Sequence, residues 1–314
     1  MHVLLLAEGE PVEWWRDALR ADLPDAVLVC PENGFDESAV DYALVWDPPE
    51  GALARLDNLR LVFSLGAGVE HVLRDRSYPR HVPLVRVVDE RLTRQMCEYV
   101  AFHVLGILRR HAEFALFQRS RVWRSETPHT ACDLRVGIMG LGVLGRAVAK
   151  TLRQLEFQVA GWSRTRHKLS DVDCYAGEEE LAEFLGRTDV LVCLLPLTPR
   201  TTAMVDFALL DRLARDGVLD APAFIGAGRG KVHVERDLLR ALDAGVLSHA
   251  VLDVFETEPL PSDSPLWSNA AVTITPHCAA VADPRDMLRQ VVAAIEDDRR
   301  GRPLRHVVDV DLGY

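Results

Sequence analysis

The 314-residue chain contains the stretch Val136-Gly137-Ile138-Met139-Gly140-Leu141-Gly142-Val143-Leu144-Gly145, in which an apolar run leads into a glycine loop. A helical pattern over residues 146–155 follows. Glycines at this spacing, between a strand and a helix, are typical of dinucleotide binding: they permit a tight turn, approach of the backbone to a pyrophosphate, and close helix packing. The N-terminus of the helix then faces the phosphates with its partial positive charge. A purely structural turn is the alternative. The predicted cofactor-binding residues here are Gly140, Gly142, Val143, Leu144 and Gly145.

The residues around this loop alternate between strands and helices. Beginning near Asp133, the apolar runs predict six strands, an arrangement typical of a dinucleotide-binding sheet. These strands are Arg135–Met139, Gln158–Gly161, Val190–Leu194, Ala223–Ile225, Ala250–Val254 and Val272–Thr275.

The first hundred residues show the same alternation, which predicts a second parallel sheet covered on both faces. A long helical stretch over Thr93–Arg119 is expected to join the two domains. The last helix is predicted to begin with Asp283 as cap and Pro284 in its first turn, to end at Gly301, and to return the chain to the first domain. The predicted domains are therefore residues 1–98 with 282–314, and residues 99–281. The first-domain strands are Val3–Ala7, Ala26–Cys30, Tyr42–Val45, Leu61–Ser64 and Leu84–Val87, with a helix at Val12–Asp22.

Composition excludes several classes of function. A net charge of −11 does not suit nucleic-acid binding, which needs a basic surface. The six cysteines form no CxxC pair and no zinc spacing, so we expect reduced thiols and no metal site. No stretch approaches the roughly 20 apolar residues that span a bilayer. We expect a cytoplasmic protein without a membrane or nucleic-acid partner.

The residues at the end of the second strand of the dinucleotide domain indicate which cofactor is bound. An NAD-binding domain places a carboxylate about 18 residues past the last glycine, where it binds the ribose hydroxyls and repels a 2′-phosphate. Here the segment reads Ser163-Arg164-Thr165-Arg166, and the first acid after it is Asp171. Hydroxyls and guanidinium groups favour a 2′-phosphate, so we predict that NADP(H) is preferred over NAD(H). A solvated basic turn is the alternative.

Three residues that follow later strands of this domain form a candidate catalytic set. Arg229, Glu258 and His277 each follow a predicted strand, at the sheet edge where open α/β domains bind ligands. Arg229 is predicted to bind a substrate carboxylate and polarise the neighbouring carbonyl, His277 to donate a proton, and Glu258 to favour the charged imidazole. Each residue alone is more often structural, but the ordered set after a nucleotide loop predicts the reduction of a 2-oxo acid. Asp253 closes a strand nearby, with cofactor contact or helix capping as its two possible roles.

With these residues in place, the chain resembles the D-2-hydroxyacid dehydrogenase family, and within it the glyoxylate/hydroxypyruvate reductase group. The resemblance extends over nearly the whole length. Beyond the candidate catalytic set, it rests on Tyr42–Pro49, Phe63–Val69, Gln95–Tyr99, Trp162–Arg166, Leu195–Pro199, Leu252–Phe255 and Pro265–Trp267.

The resemblance implies two doubly wound parallel-sheet domains, a flavodoxin-like substrate lobe and a Rossmann cofactor domain, with a cleft between them. It also implies reduction of glyoxylate or hydroxypyruvate with NADPH, and a homodimer formed through the cofactor-domain side. By the same resemblance, the Gly66-Ala67-Gly68-Val69 turn is expected to offer backbone amides to the substrate carboxylate, and Trp46 to line the substrate pocket. A core tryptophan is nearly as good an interpretation of Trp46. The residues assigned in this way are Trp46, Ala67, Gly68 and Val69 for substrate, and Leu195, Pro196, Ala227 and Gly228 for cofactor.

The chain departs from the family pattern beside the arginine. Gly226 and Gly228 stand where the family usually has asparagine and alanine, and the segment over residues 215–222 looks longer than usual. The extra glycines are expected to leave Arg229 less firmly placed. Two other functions stay open: an NAD-dependent dehydrogenase acting on another or bulkier substrate, and a non-catalytic NADP(H)-sensing binding protein, since one fold serves many functions.

Overall fold

The computed structural model describes residues 1–125 and 129–314. The chain divides into two compact units, the first formed by Met1–Leu92 with Ala282–Tyr314 and the second by Thr93–Val281. The domain bounds expected from the sequence, at residues 98 and 281, stay a prediction.

The first unit is built on a five-stranded sheet in which every pair of neighbouring strands is parallel, in the order β2-β1-β3-β4-β5. This is the flavodoxin-like strand order, as predicted. All five predicted strands are present. The elements are β1 (His2–Ala7), α1 (Val12–Asp22), β2 (Val27–Val29), β3 (Val40–Trp46), β4 (Leu61–Ser64), α2 (Glu70–Leu73), β5 (Leu84–Arg86) and α9 (Pro284–Arg299).

Apolar side chains cover both faces of this sheet. On one face Trp15 and Leu19 of α1 pack with Val291 and Ile295 of α9. The ends of α9 follow the sequence signals: the Asp283 carboxylate accepts a hydrogen bond from the Arg285 N–H, and Gly301 adopts a φ of +64°. This left-handed conformation lets the N–H groups of Gly301 and Arg302 donate to the carbonyls of Asp298 and Asp297 in the last turn of the helix.

The second unit contains a seven-stranded parallel sheet in the order β12-β11-β10-β9-β6-β7-β8. The first six strands in chain order have the Rossmann arrangement, and the seventh extends it at the β11 edge. The strands are β6 (Arg135–Met139), β7 (Gln158–Ser163), β8 (Asp173–Ala176), β9 (Val190–Cys193), β10 (Ala223–Gly226), β11 (His249–Leu252) and β12 (Val272–Ile274). The helices are α3 (Glu90–Leu108), which begins in the first unit, α4 (His111–Arg119), α5 (Val143–Gln154), α6 (Leu181–Gly186), α7 (Phe207–Leu210) and α8 (Glu235–Asp243).

Two sequence predictions in this unit are wrong. The sheet has a further strand, β8, which the sequence analysis missed because this half-exposed edge strand has only four residues and little apolar character. The long helical stretch is not continuous either. Arg110, between the end of α3 and the start of α4, adopts a left-handed conformation with a φ of +52°, which interrupts the helix.

No helix within the described part of the chain is long and apolar enough to cross a membrane.

Candidate active site

The glycine loop after β6 forms a cradle for an anion. Gly140 has a φ of +105°, and a Cβ at Gly145 would lie 1.8 Å from the Gly140 carbonyl oxygen, so the loop closes tightly on itself. At Gly142, no described atom outside its immediate neighbours lies within 4 Å of where a Cβ would be. Gly142 is also the residue before α5, and among the described side chains none caps the first N–H groups of that helix. These groups fit the pyrophosphate of a dinucleotide.

The two arginines predicted to bind the cofactor phosphate, Arg164 and Arg166, lie after β7 in different environments. Ser163 ends the strand, and its hydroxyl donates to the Thr165 carbonyl at 2.8 Å. Arg164 and Thr165 are exposed. Arg166 instead donates to the Cys174 carbonyl of β8 and forms an ion pair with Glu180. The strand that the sequence analysis missed therefore engages one of the two cations.

The Arg229 turn follows β10 and is packed between two neighbouring loops. A Cβ at Gly228 would lie 2.7 Å from the carbonyl oxygen of Leu195, and one at Gly230 would lie 1.8 Å from that of Phe255. The Arg229 guanidinium donates to the Gly228 carbonyl at 2.8 Å. The expectation that Gly228 loosens this turn is therefore wrong, because the absence of a side chain is what allows the loops to approach so closely.

The other departure from the family pattern, Gly226, is also tightly surrounded. A Cβ there would lie 3.0 Å from Cε1 of Phe224 and 3.4 Å from Nδ1 of His233. His233 is 2% exposed, and burial lowers its pKa to about 4, so the imidazole is neutral. The ring occupies the space beside Gly226, and this departure does not loosen the Arg229 turn either.

Glu258 and His277 come together from the loops after β11 and β12. Nδ1 of His277 lies 2.6 Å from Oε2 of Glu258, while Oε1 of Glu258 accepts from the Phe255 N–H at 2.9 Å. Burial by itself raises the pKa of Glu258, but the hydrogen bonds from His277 and Phe255 and the Arg229 charge outweigh it and hold that pKa below its usual value. The ionised carboxylate therefore accepts the Nδ1 proton, which leaves Nε2 of His277 as the ring nitrogen that can exchange a proton with a substrate.

The Asp253 carboxylate faces the His277 turn. Oδ1 accepts from the Thr275 hydroxyl at 2.6 Å and from the Cys278 N–H at 2.9 Å, and Oδ2 accepts from the Ala279 N–H at 3.0 Å. The residue is 1% exposed. Tyr99 on α3, which the sequence analysis did not single out as a site residue, completes the group because its hydroxyl lies 2.8 Å from that of Thr275.

Four further predicted residues lie in the first unit. Trp46 ends β3 and is 40% exposed, so it is not a core tryptophan. Its ring lies 4.4 Å from that of His71 and covers Gly66. The predicted amide-donating turn, Ala67-Gly68-Val69, links β4 to α2. His71 supports this turn, because its Nδ1 accepts from the Asp47 N–H and its Nε2 lies 3.2 Å from the Gly68 carbonyl oxygen.

Comparisons with known proteins show what the whole chain is similar to. Residues 101–279 match the model of the D-isomer specific 2-hydroxyacid dehydrogenase NAD-binding domain. The chain is 42% identical over 305 residues to a glyoxylate/hydroxypyruvate reductase A from Yersinia enterocolitica, with 96% of each chain covered. A crystal structure of an NADPH-dependent glyoxylate/hydroxypyruvate reductase from Sinorhizobium meliloti, in complex with NADP and sulfate, is similar with a TM-score of 0.93 and 42% identity, covering 100% of this chain and 99% of that one. A probable 2-hydroxyacid dehydrogenase from Rhizobium etli in complex with NADP, HEPES and L(+)-tartaric acid gives a TM-score of 0.93 at 41% identity, with the same coverage.

Proposed function

Because the chain belongs to the D-isomer-specific 2-hydroxyacid dehydrogenase family, we propose that it is an NADPH-dependent reductase of small 2-oxo acids such as glyoxylate and hydroxypyruvate. The observation that supports this most directly is the 2.6 Å contact between His277 and an ionised Glu258, beside Arg229. A proton donor and a fixed cation at one sheet edge are what the reduction of a 2-oxo acid requires of a protein.

Each of the three side chains has one role in this reaction. The Arg229 guanidinium pairs with the substrate carboxylate and orients the neighbouring carbonyl. His277 donates the Nε2 proton to the alkoxide that develops at C2, and Glu258 stabilises the imidazolium before the transfer and orients the ring throughout. In the first unit, Trp46 and the turn of Ala67, Gly68 and Val69 stay predictions for substrate contact.

The cofactor is held by the glycine loop and the segment after β7. The open position at Gly142 and the uncapped N-terminus of α5 receive the pyrophosphate, while Ser163, Arg164 and Thr165 bind the 2′-phosphate. NADPH, when bound, supplies the hydride. Arg166, which was also predicted for this phosphate, is paired with Glu180. Leu195, Pro196, Ala227 and Gly228, on the loops after β9 and β10, stay predictions for cofactor contact.

Initial rates of NADPH and NADH oxidation with glyoxylate, hydroxypyruvate, pyruvate and phenylpyruvate test the proposal. We expect turnover with NADPH and with glyoxylate and hydroxypyruvate. Activity only with phenylpyruvate would retain the mechanism but contradict the substrate class. Tight NADPH binding without turnover of any of the four would favour a cofactor-sensing protein instead.

We also propose that the protein is a homodimer joined through α3, α4 and the segment after them. The described residues leave several large apolar side chains exposed there, among them Phe102 at 65% and Trp123 at 98%. Such a patch is typical of a protein interface. Sedimentation of the wild type should give a dimer, and Phe102→Glu with Leu105→Glu should give a monomer. Leu155→Glu, at an exposed leucine outside this patch, is the matched control.

The proposed location is the cytoplasm. All six cysteines are free in the structure, which suits a reducing compartment. Cell fractionation with an antibody to the protein tests this assignment.

A further inference from the structure

The turn of Ala67, Gly68 and Val69 points its carbonyls and its N–H groups in opposite directions. Donors of the first unit engage the three carbonyls that precede these N–H groups: the Val87 N–H on Gly66 at 3.2 Å, the Arg86 guanidinium on Ala67 at 3.5 Å, and the Ser64 hydroxyl on Gly68 at 2.9 Å. A trans peptide points its C=O and its N–H to opposite sides, so the three N–H groups point away from those donors. None of the described residues accepts a hydrogen bond from them. Successive backbone N–H groups of this kind are typical of an anion site.

A buried network behind the turn holds the Gly68 carbonyl. Nδ1 of His71 lies 3.0 Å from the backbone nitrogen of Asp47, which can only donate, so the neutral ring carries its proton on Nε2. Nε2 lies 3.1 Å from the Ser64 hydroxyl oxygen, which accepts this proton. The Ser64 hydroxyl then donates its own proton to the Gly68 carbonyl. Each bond of the network therefore has one possible direction, from Asp47 through His71 and Ser64 to Gly68.

The His71 ring is fixed on its face as well as at its two nitrogens. The Trp46 ring packs against it with 4.4 Å between the ring centroids. Asp47, whose N–H the ring holds, has a φ of +51°, in the left-handed region that residues with a side chain rarely adopt. Both Ser64 and His71 are buried. His71 thus ties the loop after β3 to the turn after β4.

We propose that Ser64 and His71 are positioning residues, which hold the Gly68 carbonyl so that the N–H groups of Gly68 and Val69 stay aimed at the substrate carboxylate. This inference rests on the proposed reductase function and on the predicted contact between this turn and the substrate. Glycine has the most flexible backbone of all residues, and the anchored carbonyl restricts Gly68 to one orientation. Ser64 and His71 thereby join the residues on which substrate affinity depends.

Ser64→Ala is the first test, because it removes the central hydroxyl of the network and little volume. We expect the KM for glyoxylate and the Ki of oxamate, an unreactive analogue with the same carboxylate, to rise about 10-fold, since a charge-assisted hydrogen bond is no longer well aimed. Because binding that is lost equally from the substrate and the transition state changes KM alone, kcat and the Kd for NADPH should stay within about 2-fold of the wild type. Unchanged KM and Ki would overturn the proposal, as would a fall in kcat at constant KM.

Thr188→Val is the matched control for the loss of a buried hydroxyl. Thr188 is as buried as Ser64, and its hydroxyl also donates to a backbone carbonyl, that of Phe184 in the second unit. The KM for glyoxylate should not change in this variant. Equal increases in Thr188→Val and Ser64→Ala would show a general effect of packing and overturn the proposal.

His71→Phe provides a second test if Ser64→Ala does not fold, because it keeps an aromatic ring and removes both nitrogens. We expect the KM for glyoxylate to rise at least as much as in Ser64→Ala. Adding Ser64→Ala to His71→Phe should raise KM little further, since both changes break the same chain of hydrogen bonds. Effects that multiply in the double variant would show that the two residues act separately and overturn the proposal.

Nuclear magnetic resonance separates this inference from the proposed function. Long-range proton–nitrogen spectra of the His71 ring should show a neutral ring with its proton on Nε2; a protonated ring or a proton on Nδ1 would overturn the proposal. The amide resonances of Gly68 and Val69 should shift in Ser64→Ala but not in Thr188→Val, whether or not the wild type reduces a 2-oxo acid. An inactive wild type with these shifts would contradict the reductase function alone. An active wild type without them would contradict the positioning by Ser64 and His71 alone.

Discussion

Nδ1 of His277 lies 2.6 Å from Oε2 of Glu258, and the two side chains are 42% and 34% exposed. The pair is thus accessible to a substrate, while the hydrogen bond between the two side chains fixes their orientation. Glu258 is fixed in turn by the Phe255 N–H, on the loop against which Gly230 packs. His277, Glu258 and Arg229 are in this way linked through the loops after three neighbouring strands.

The first prediction concerns the proton donor. His277→Ala should lower kcat by about 10²–10⁴-fold, the range typical of general acid catalysis, while the Kd for NADPH stays near the wild-type value. Glu258→Gln should lower kcat by less, and should add little in the His277→Ala background, because the two residues act together. His81→Ala, at an exposed histidine of the first unit, is the control. Wild-type turnover in His277→Ala would remove His277 as the donor.

The second prediction concerns acid stability. The pKa of Glu258 is lower in the folded protein than its usual value, so its ionised form stabilises the fold above about pH 4.3, the unfolded value, and this contribution is lost as pH falls through the folded pKa. The pair is partly exposed, so we expect only about 0.5 kcal/mol. Urea unfolding should show the wild type more stable than Glu258→Gln at pH 7, and the difference should shrink as the pH falls. A difference that grows toward acid pH would have the wrong sign.

The third prediction concerns the cation. Arg229→Lys should lower kcat/KM about 100-fold, or about 2.7 kcal/mol, because an ammonium group cannot bind a carboxylate through two parallel hydrogen bonds. The lysine would also not reproduce the hydrogen bond that the Arg229 guanidinium donates to the Gly228 carbonyl. Steady-state kinetics should be compared with Arg236→Lys, whose side chain is 90% exposed on α8. Equal kinetics for the two variants would exclude bidentate binding by Arg229.

The fourth prediction concerns cofactor choice. Ser163→Asp with Arg164→Ala should lower the ratio of kcat/KM for NADPH to that for NADH by about 100-fold, since a carboxylate there binds ribose hydroxyls and repels a 2′-phosphate. Arg166→Ala should change the ratio only a few-fold, because Arg166 is paired with Glu180. If Arg166→Ala has the larger effect, the ion pair opens on binding and Arg166 holds the phosphate.

The fifth prediction separates two glycines of the same loop. Gly142→Ala should leave Tm nearly unchanged, because its Cβ has space, and should raise the Kd for NADPH at least 10-fold by obstructing the pyrophosphate. Gly145→Ala should instead destabilise the fold, by about 1–3 kcal/mol, because its Cβ would lie 1.8 Å from the Gly140 carbonyl oxygen. Thermal unfolding and fluorescence titration of both variants measure the difference. A loss of stability in Gly142→Ala would contradict the open cradle.

The amino-acid sequence by itself determined the strands other than β8 and the position of the glycine loop, and it placed Arg229, Glu258 and His277 just after strands. Apolar runs and glycine spacing are local signals, and Arg229, Glu258 and His277 could be proposed because each follows such a run. Structural features without a local sequence signal were missed. The four residues of β8 are a strand only because they pair with β7, and the break before α4 depends on a left-handed Arg110 that no sequence pattern indicates.

Only the tertiary structure decided how close the loops lie and which polar groups are already engaged. Gly228 reads in the sequence as a flexible residue, yet it is a contact point, because the carbonyl of Leu195 leaves no room for a side chain there. Arg166 is held by Glu180, and Asp253 is surrounded by donors of the His277 turn. The physical reason is that a hydrogen bond or a steric contact depends on distances between residues far apart in the chain, and the order of the strands sets those distances.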